Sequence, residues 1–382
     1  MKKIMILYAS VGGGHFRAAD GVRSYIEENY KNQYEVVMVD ALNYTNKVID
    51  KIVISSYVNM ARYSPKLWSK IYQIGEEHYS VANFSNAVQK LLSQKLFNLF
   101  KEKQPDVVIS THYFITEMVA SLKKKGKTDT KLAVVLTDFA SHRFWEMKPE
   151  YVNLYFVANE EMRYSLMHSG IAKEKIHVTG IPVRPEFLKE HNRKNILEEF
   201  DLVDGKPIFL VFGGGAYGMS DASLLFKSIL DITEDIQIIA ISGKSEKTKE
   251  SFEKLALESD KKVVILGFTD KIPELMSISD FIVSKPGGLT TTEILVSNVP
   301  FVIFSPVPGQ EEENANFLTN NGAAVRLWDI NKATPFFEQL LHDSFKCEHM
   351  KIMQKHIAKP NSTKDIVELV LNEIETKKSK CN

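Results

Sequence analysis

Phe281-Ile282-Val283-Ser284-Lys285-Pro286-Gly287-Gly288-Leu289-Thr290-Thr291-Thr292-Glu293 is a strand, a turn and a helix start in thirteen residues. The apolar run reads as a buried strand, and the proline and two glycines turn the chain. Three threonines then open a helix, so free backbone N–H groups and hydroxyls gather at a helix N-terminus, where a phosphate binds well. Glu293, one turn in, is placed to accept from a ribose. A second strand, Phe301-Val302-Ile303-Phe304, leads into Gly309-Gln310-Glu311-Glu312-Glu313-Asn314, whose carboxylates and amides suit a sugar's hydroxyls. Together the two segments suggest a pocket for a nucleoside diphosphate carrying a sugar.

Working outward, the same strand-then-helix rhythm fills most of the chain. Residues 4–8, 35–39, 106–110, 132–136 and 154–158 read as strands separated by helical stretches, and a second series follows at 207–212, 236–240, 263–266, 281–283 and 300–304. This is the pattern of open parallel sheets wound on both faces. Gly180-Ile181-Pro182-Val183-Arg184-Pro185 separates the series and reads as a linker. The expected layout is a first Rossmann-like domain over 1–180, a linker over 181–195, a second Rossmann-like domain over 196–358, and a terminal helix within 359–382. Ligands on such sheets bind beyond the carboxyl ends of the strands, so two halves facing one another would define a central cleft.

Composition narrows the classes. The chain has 382 residues, 44% of them hydrophobic and 25% charged, as in soluble globular proteins, and no apolar run approaches a membrane span. No signal-peptide pattern precedes the first strand, and Cys347 and Cys381 are the only cysteines. These point to a reducing, cytoplasmic setting. Net charge is zero, yet residues 1–180 carry 24 Lys and Arg against 18 Asp and Glu, leaving the remainder acidic. A basic half is suited to an anionic partner, or is scatter between domains.

From about residue 42 to 103 the rhythm breaks. Residues 42–72 set Lys47, Lys51, Arg62, Lys66 and Lys70 among Tyr57, Tyr63, Leu67, Trp68 and Tyr72. A basic, aromatic, amphipathic segment suits an anionic lipid surface; the alternative is helices whose apolar face joins the core. Lys123, Lys124, Lys125 and Lys127 form a second basic cluster.

Three further loops carry chemistry. Val11-Gly12-Gly13-Gly14-His15 follows the first strand; it lacks the spacing of a dinucleotide fingerprint and the Lys-Ser/Thr of a P-loop. It presents His15 at a strand's carboxyl end, as a general base near neutral pH or as a capping or packing residue. Gly213-Gly214-Gly215-Ala216-Tyr217-Gly218-Met219 brings amides toward a pyrophosphate, and Gly267-Phe268-Thr269 offers an aromatic edge to a base. In Thr137-Asp138-Phe139-Ala140-Ser141-His142-Arg143-Phe144-Trp145, Asp138 can assist a base or cap its loop, and His142 and Trp145 can line an acceptor site. No paired-histidine or Asp-x-Asp metal signature is present, so amides and helix N-termini would stabilise a departing diphosphate.

In this order and spacing the motifs resemble the GT-B glycosyltransferases, in particular the family of plant monogalactosyldiacylglycerol synthases and bacterial diacylglycerol glucosyltransferases. The peptidoglycan N-acetylglucosaminyltransferase is a more distant relative. The marks are Gly12-Gly13-Gly14-His15 with Ala18-Ala19, Thr137-Asp138-Phe139 with His142 and Trp145, and Gly180-Ile181-Pro182-Val183. In the second half they are Gly213-Gly214-Gly215, Ser284-Lys285-Pro286-Gly287-Gly288 with Glu293, and Pro308-Gly309-Gln310-Glu311-Glu312 with Asn314. The resemblance implies inverting, metal-independent transfer of a glucose or galactose from a UDP-sugar to diacylglycerol, with no cofactor and no nucleic-acid partner.

The resemblance also implies roles. His15 or Asp138 would take the acceptor's proton. Gly214, Gly215, Gly218, Gly287, Gly288, Thr290 and Thr291 would hold the diphosphate, Phe268 would lie near uracil, Glu293 would bind ribose, and Gln310, Glu311 and Asn314 would read the sugar. Gly13, Gly14, His142, Trp145, Trp68 and Lys66 would meet acceptor or membrane, with the Trp145 loop facing lipid. The protein would then sit peripherally on the inner face of the cell membrane, bound to anionic lipid. The terminal helix, with Ser362 as its N-cap, would cross back to the first domain. Plant members carry Glu or Ser near the fourth position of the glycine loop at 213–219, and the difference here leaves the hexose open. A polyprenyl-linked or soluble acceptor, an epimerase, and a non-catalytic UDP-sugar sensor are the other readings.

Overall fold

The computed structural model describes residues 1–10, 13–45, 85–214 and 221–375, with side chains omitted for 85–93. The expectations for Gly12, Gly215, Gly218, Lys66, Trp68 and the basic segment beyond Thr45 lie outside the described residues.

The chain divides into two compact units. One comprises Met1–Pro185, Pro308–Gln310 and Lys359–Asn382; the other comprises Glu186–Val307 and Glu311–Ala358. In chain order the first unit holds β1 (Lys2–Tyr8), α1 (Gly14–Asn29), β2 (Tyr34–Asp40), α2 (Ala41–Thr45), α3 (Ser85–Lys103), β3 (Val107–Ser110), α4 (Tyr113–Lys124), β4 (Lys131–Val135), β5 (Leu154–Val157), α5 (Glu160–His168) and β6 (Ile176–Val178). The second holds α6 (Arg193–Glu199), β7 (Ile208–Phe212), α7 (Ala222–Leu230), β8 (Gln237–Gly243), α8 (Glu246–Ala256), β9 (Lys262–Gly267), α9 (Ile272–Ile278), β10 (Phe281–Ser284), α10 (Gly288–Ser297), β11 (Phe301–Phe304), α11 (Gln310–Asn320), β12 (Val325–Leu327), α12 (Ala333–His342) and α13 (Ser344–Ile357); α14 (Ser362–Glu375) ends the chain.

The first sheet runs β2-β1-β3-β4-β5-β6 and the second β12-β11-β10-β7-β8-β9, every pairing parallel. A parallel sheet needs helices on both faces, which is why its inner strands are apolar throughout rather than alternating. β3, β5, β10 and β11 are buried along their whole length, whereas the edge strands β2 and β9 are only half-buried. β6 and β12, three residues each, extend the sheets beyond the strands expected from sequence.

Each unit has its own core. In the second, Phe209 stacks on Phe281 at 4.8 Å, and Phe226 lies 4.5 Å from Phe252. In the first, Ile4, Ile6, Ala19 and Val22 meet Ile366, Val367, Val370, Leu371 and Ile374 of α14. The end of the chain therefore belongs to the first unit's core. Ser362 is not the N-cap of α14. The Asp365 N–H bonds to the Asn361 carbonyl, and Ser362 lies inside the helix, where its hydroxyl donates to the Ile181 carbonyl at 2.7 Å. Thr363 donates to the Val183 carbonyl at 3.0 Å, so the start of α14 is sewn to the 181–183 segment. Gly180 makes that crossing possible. Its φ is +86°, and a Cβ there would lie 2.4 Å from Lys359 Cβ.

Candidate active site

In an open parallel sheet the ligand crevice opens where strand order reverses. In the first sheet that point lies between β1 and β3. His15 stands there, but as the second residue of α1 rather than in the glycine loop, because α1 begins at Gly14. Gly13 precedes α1 and no side chain caps it. His15 Nδ1 lies 2.6 Å from the Thr111 carbonyl oxygen and 3.1 Å from Thr137 Oγ1, and Thr111 Oγ1 donates to the His15 carbonyl at 3.0 Å. A carbonyl can only accept, so Nδ1 carries the proton and Nε2 keeps its lone pair.

Thr111 and His112 follow β3, and Thr137 follows β4, so the carboxyl ends of three adjacent strands build this corner. The His112 ring meets His15 at 4.6 Å, and its Nδ1 accepts from the Phe114 N–H, capping α4. Tyr113 stacks on His112 at 4.5 Å and touches His142, Phe144 and Trp145 at 5.2, 5.3 and 5.9 Å. The Gln310 side-chain nitrogen can donate to His142 Nε2 at 2.9 Å.

Burial disfavours charge on all three histidines. It lowers the His15 pKa to about 4, against the pull of the Thr111 carbonyl, and that of His142, with His15 as a further cause, to about 3. His112 is held well below the ordinary value by burial and then by its histidine neighbours.

Two expectations change here. Trp145 does not face lipid. It is 1% exposed, packed against Tyr113 and His142, with its Nε1 lacking a hydrogen-bond partner among the described residues. His142 is likewise buried. Nor is Lys123 part of an open basic patch: its Nζ donates to Asn153 Oδ1 at 3.0 Å, and burial with Lys131 and Lys175 nearby lowers its pKa to about 8. Asp138 is half-buried in the bend after β4.

In the second sheet the order reverses between β10 and β7. Gly213 and Gly214 follow β7, and Lys285-Pro286-Gly287 leads from β10 into α10. Gly287 stands at the cap position with no side chain capping the helix, which leaves the first amides of α10 for a ligand. Gly288 is buried and Thr290 half-buried at this mouth. Thr291, expected on the diphosphate, is instead fully buried, its hydroxyl unpartnered among the described residues, and Thr292 bonds back to the Gly288 carbonyl at 2.9 Å. Helical periodicity turns those two side chains inward.

Glu293 is 4% exposed, and Asn314 is fully buried. Asn314 Nδ2 donates to the Pro286 carbonyl at 3.0 Å, so it braces the turn before α10. Glu311 accepts from the Val307 N–H at 2.7 Å. Phe268 is 59% exposed beyond β9, with Lys244 Nζ 5.4 Å above its ring. Sequence reading missed Thr111 and His112; the signal available was a pair of polar residues just beyond an apolar strand.

Two Rossmann-like domains, each a six-stranded parallel sheet with flanking helices, define the GT-B class. Solved structures of similar fold include MurG of Acinetobacter baumannii (TM-score 0.64, 16% identity, 97% of this chain and 100% of that one) and the UDP-GlcNAc 2-epimerase of Neisseria meningitidis bound to UDP-GlcNAc (TM-score 0.65, 14% identity, 97% and 100%). The monogalactosyldiacylglycerol (MGDG) synthase family model matches residues 15–183, and that of the glycosyltransferase family 28 C-terminal domain matches 208–370. The processive diacylglycerol beta-glucosyltransferase of Bacillus cereus is 30% identical over 383 residues, covering 97% of this chain and 94% of that protein. Its Bacillus subtilis counterpart is 28% identical over 375 residues, covering 98% and 96%. The chain belongs to this family of diacylglycerol glycosyltransferases, and it is a hexosyltransferase.

Proposed function

We propose that the protein transfers a hexose from a UDP-sugar to the hydroxyl of diacylglycerol, inverting the anomeric centre, without a metal or cofactor, at a membrane surface carrying anionic lipid. The relatives' names favour glucose. The second unit would bind the donor: the glycine turn after β7 and the N-terminus of α10 take the diphosphate, Phe268 the uracil side, and Glu293 and Glu311 the ribose and sugar.

The observation that carries the chemistry is the orientation of His15. Its Nδ1 is committed to the Thr111 carbonyl at 2.6 Å, which leaves Nε2 to accept a proton. In the proposed step the acceptor oxygen attacks the anomeric carbon, its proton passes to His15 Nε2, and the bond to the UDP oxygen breaks with UDP keeping the electron pair. The Thr111 carbonyl stabilises the ring once it is charged. Burial lowers the His15 pKa to about 4, which keeps the ring neutral across the physiological range but weakens it as a base, and the Thr111 carbonyl's pull on the charged ring offsets part of that loss. Asp138 beyond β4 is the alternative base.

Among the described residues no helix is long and apolar enough to cross a membrane, and no group of three His, Cys, Asp or Glu side chains has the geometry to hold a metal ion. The test uses radiolabelled UDP-glucose and UDP-galactose with dioleoylglycerol in anionic vesicles, with and without EDTA. The expected outcome is a β-linked glycolipid formed equally well in chelator. Strict loss of turnover in EDTA overturns metal independence, and no lipid product from either donor overturns the acceptor. Sedimentation with the vesicles is expected to weaken as salt rises, because the attraction is between screened charges.

A further inference from the structure

The middle of the second sheet runs β10-β7-β8, so the glycine turn after β7 is flanked on one side by the end of β10 and on the other by the end of β8. The first residue beyond β10 is Lys285, and the first beyond β8 is Lys244. Strands stand about 4.8 Å apart, which sets the two lysine backbones about 10 Å apart with Gly213 and Gly214 between them.

Each ammonium has a neighbour that acts on it, the Glu311 charge for Lys285 and the Phe268 ring for Lys244. Lys285 is half-buried, and burial pulls its pKa down while the nearby Glu311 carboxylate pulls it up. Glu311 also accepts from the Val307 N–H, so its charge is shared. Lys244 Nζ hangs over the exposed face of Phe268. Gly243 ties the Lys244 turn to the glycine loop: its φ is +62°, and a Cβ there would lie 3.2 Å from the Gly214 carbonyl oxygen.

A helix N-terminus offers roughly half a unit of positive charge, less than a diphosphate requires. We infer that Lys285 and Lys244 are donor-binding residues that bracket the glycine turn and supply the charge holding the diphosphate of the UDP-sugar. Lys285, at the reversal of strand order and at the mouth of α10, serves the phosphate that departs from the sugar. Lys244, beside Phe268, serves the phosphate attached to uridine. This rests on the donor-site reading above.

The test is calorimetry of wild type, Lys244→Gln, Lys285→Gln and Lys285→Arg with UDP and separately with uridine, together with steady-state kinetics. Losing a charge-assisted contact to phosphate is expected to weaken UDP binding about tenfold in each Gln variant, with uridine binding within about twofold of wild type. Uridine binding by the same preparation reports that the variant is folded. Lys285→Gln is expected to lower kcat and Lys244→Gln to raise the donor KM, with Lys285→Arg recovering most of the loss. UDP affinity unchanged in both Gln variants overturns the inference, as does a loss confined to one lysine or an equal loss for uridine. Wild type that binds no UDP overturns the donor-site reading itself.

Discussion

His15 is fixed by two reciprocal bonds to one residue: its ring to the Thr111 carbonyl and its own carbonyl to the Thr111 hydroxyl. In the proposed role of base, a ring held this way would contribute through orientation, so removing it should affect turnover far more than donor binding. His15→Ala is expected to lower kcat by roughly 10²- to 10⁴-fold, the usual yield of a positioned base, while calorimetry gives a UDP affinity near that of wild type. Unchanged turnover would pass the role to Asp138. His15 was legible because three glycines and a histidine follow an apolar strand. Thr111, which aims the ring, was not, because a threonine after a strand is ordinary until the sheet places β3 next to β1. Thr291 shows the opposite error, where a hydroxyl counted toward the ligand lies on the inward face of its helix.

Among elements, α14 is the plainest case of a segment whose place in the fold is far from its place in the chain. Its apolar stripe, Ile366, Val367, Val370, Leu371 and Ile374, is visible in the sequence as a helical repeat. Its neighbours are Ile4, Ile6, Ala19 and Val22, more than 300 residues earlier. Its polar side adds Lys131 to Glu373 at 2.6 Å and Tyr34 to Glu375 at 3.1 Å. Both pairs are partly exposed and contribute little beside the apolar face. Ile366→Ala is expected to destabilise the first unit by about 2–5 kcal/mol, read as a lower melting temperature with little change in the second unit's transition. A melting temperature within a degree of wild type would show that α14 is dispensable to that core. The inner strands were readable as unbroken apolar runs. β6 and β12 were not, since three residues at a sheet edge are half-exposed and carry no periodicity.

At the scale of the whole molecule, three neutral histidines gathered in the first unit couple its stability to pH. In the unfolded chain each takes up a proton near pH 6.5; folded, His15 waits until about 4 and His142 until about 3, with His112 also well below its ordinary value. The unfolded state therefore binds more protons between these limits, and stability falls as pH drops below 6.5. The loss is at most about 1.4 kcal/mol per pH unit for each histidine, and stability is flat with respect to these groups above 6.5. Denaturant melts at pH 7.5, 6 and 5 are expected to show the decline, and His142→Phe should shrink it. A flat profile between pH 7 and 5 would mean that the rings are already hydrated.

The sequence alone determined two parallel α/β sheets, the glycine turns that follow their first strands, and the family, because these depend on local apolar periodicity and on short motifs at strand ends. Only the tertiary structure decided which motif residues face outward and which, like Trp145, Thr291 and Asn314, are buried as supports. It also decided that Lys285 and Lys244 flank one turn. The reason is strand order: sequence records the succession of strands, whereas adjacency in a sheet is set by crossovers that bring β10 and β8 to either side of β7.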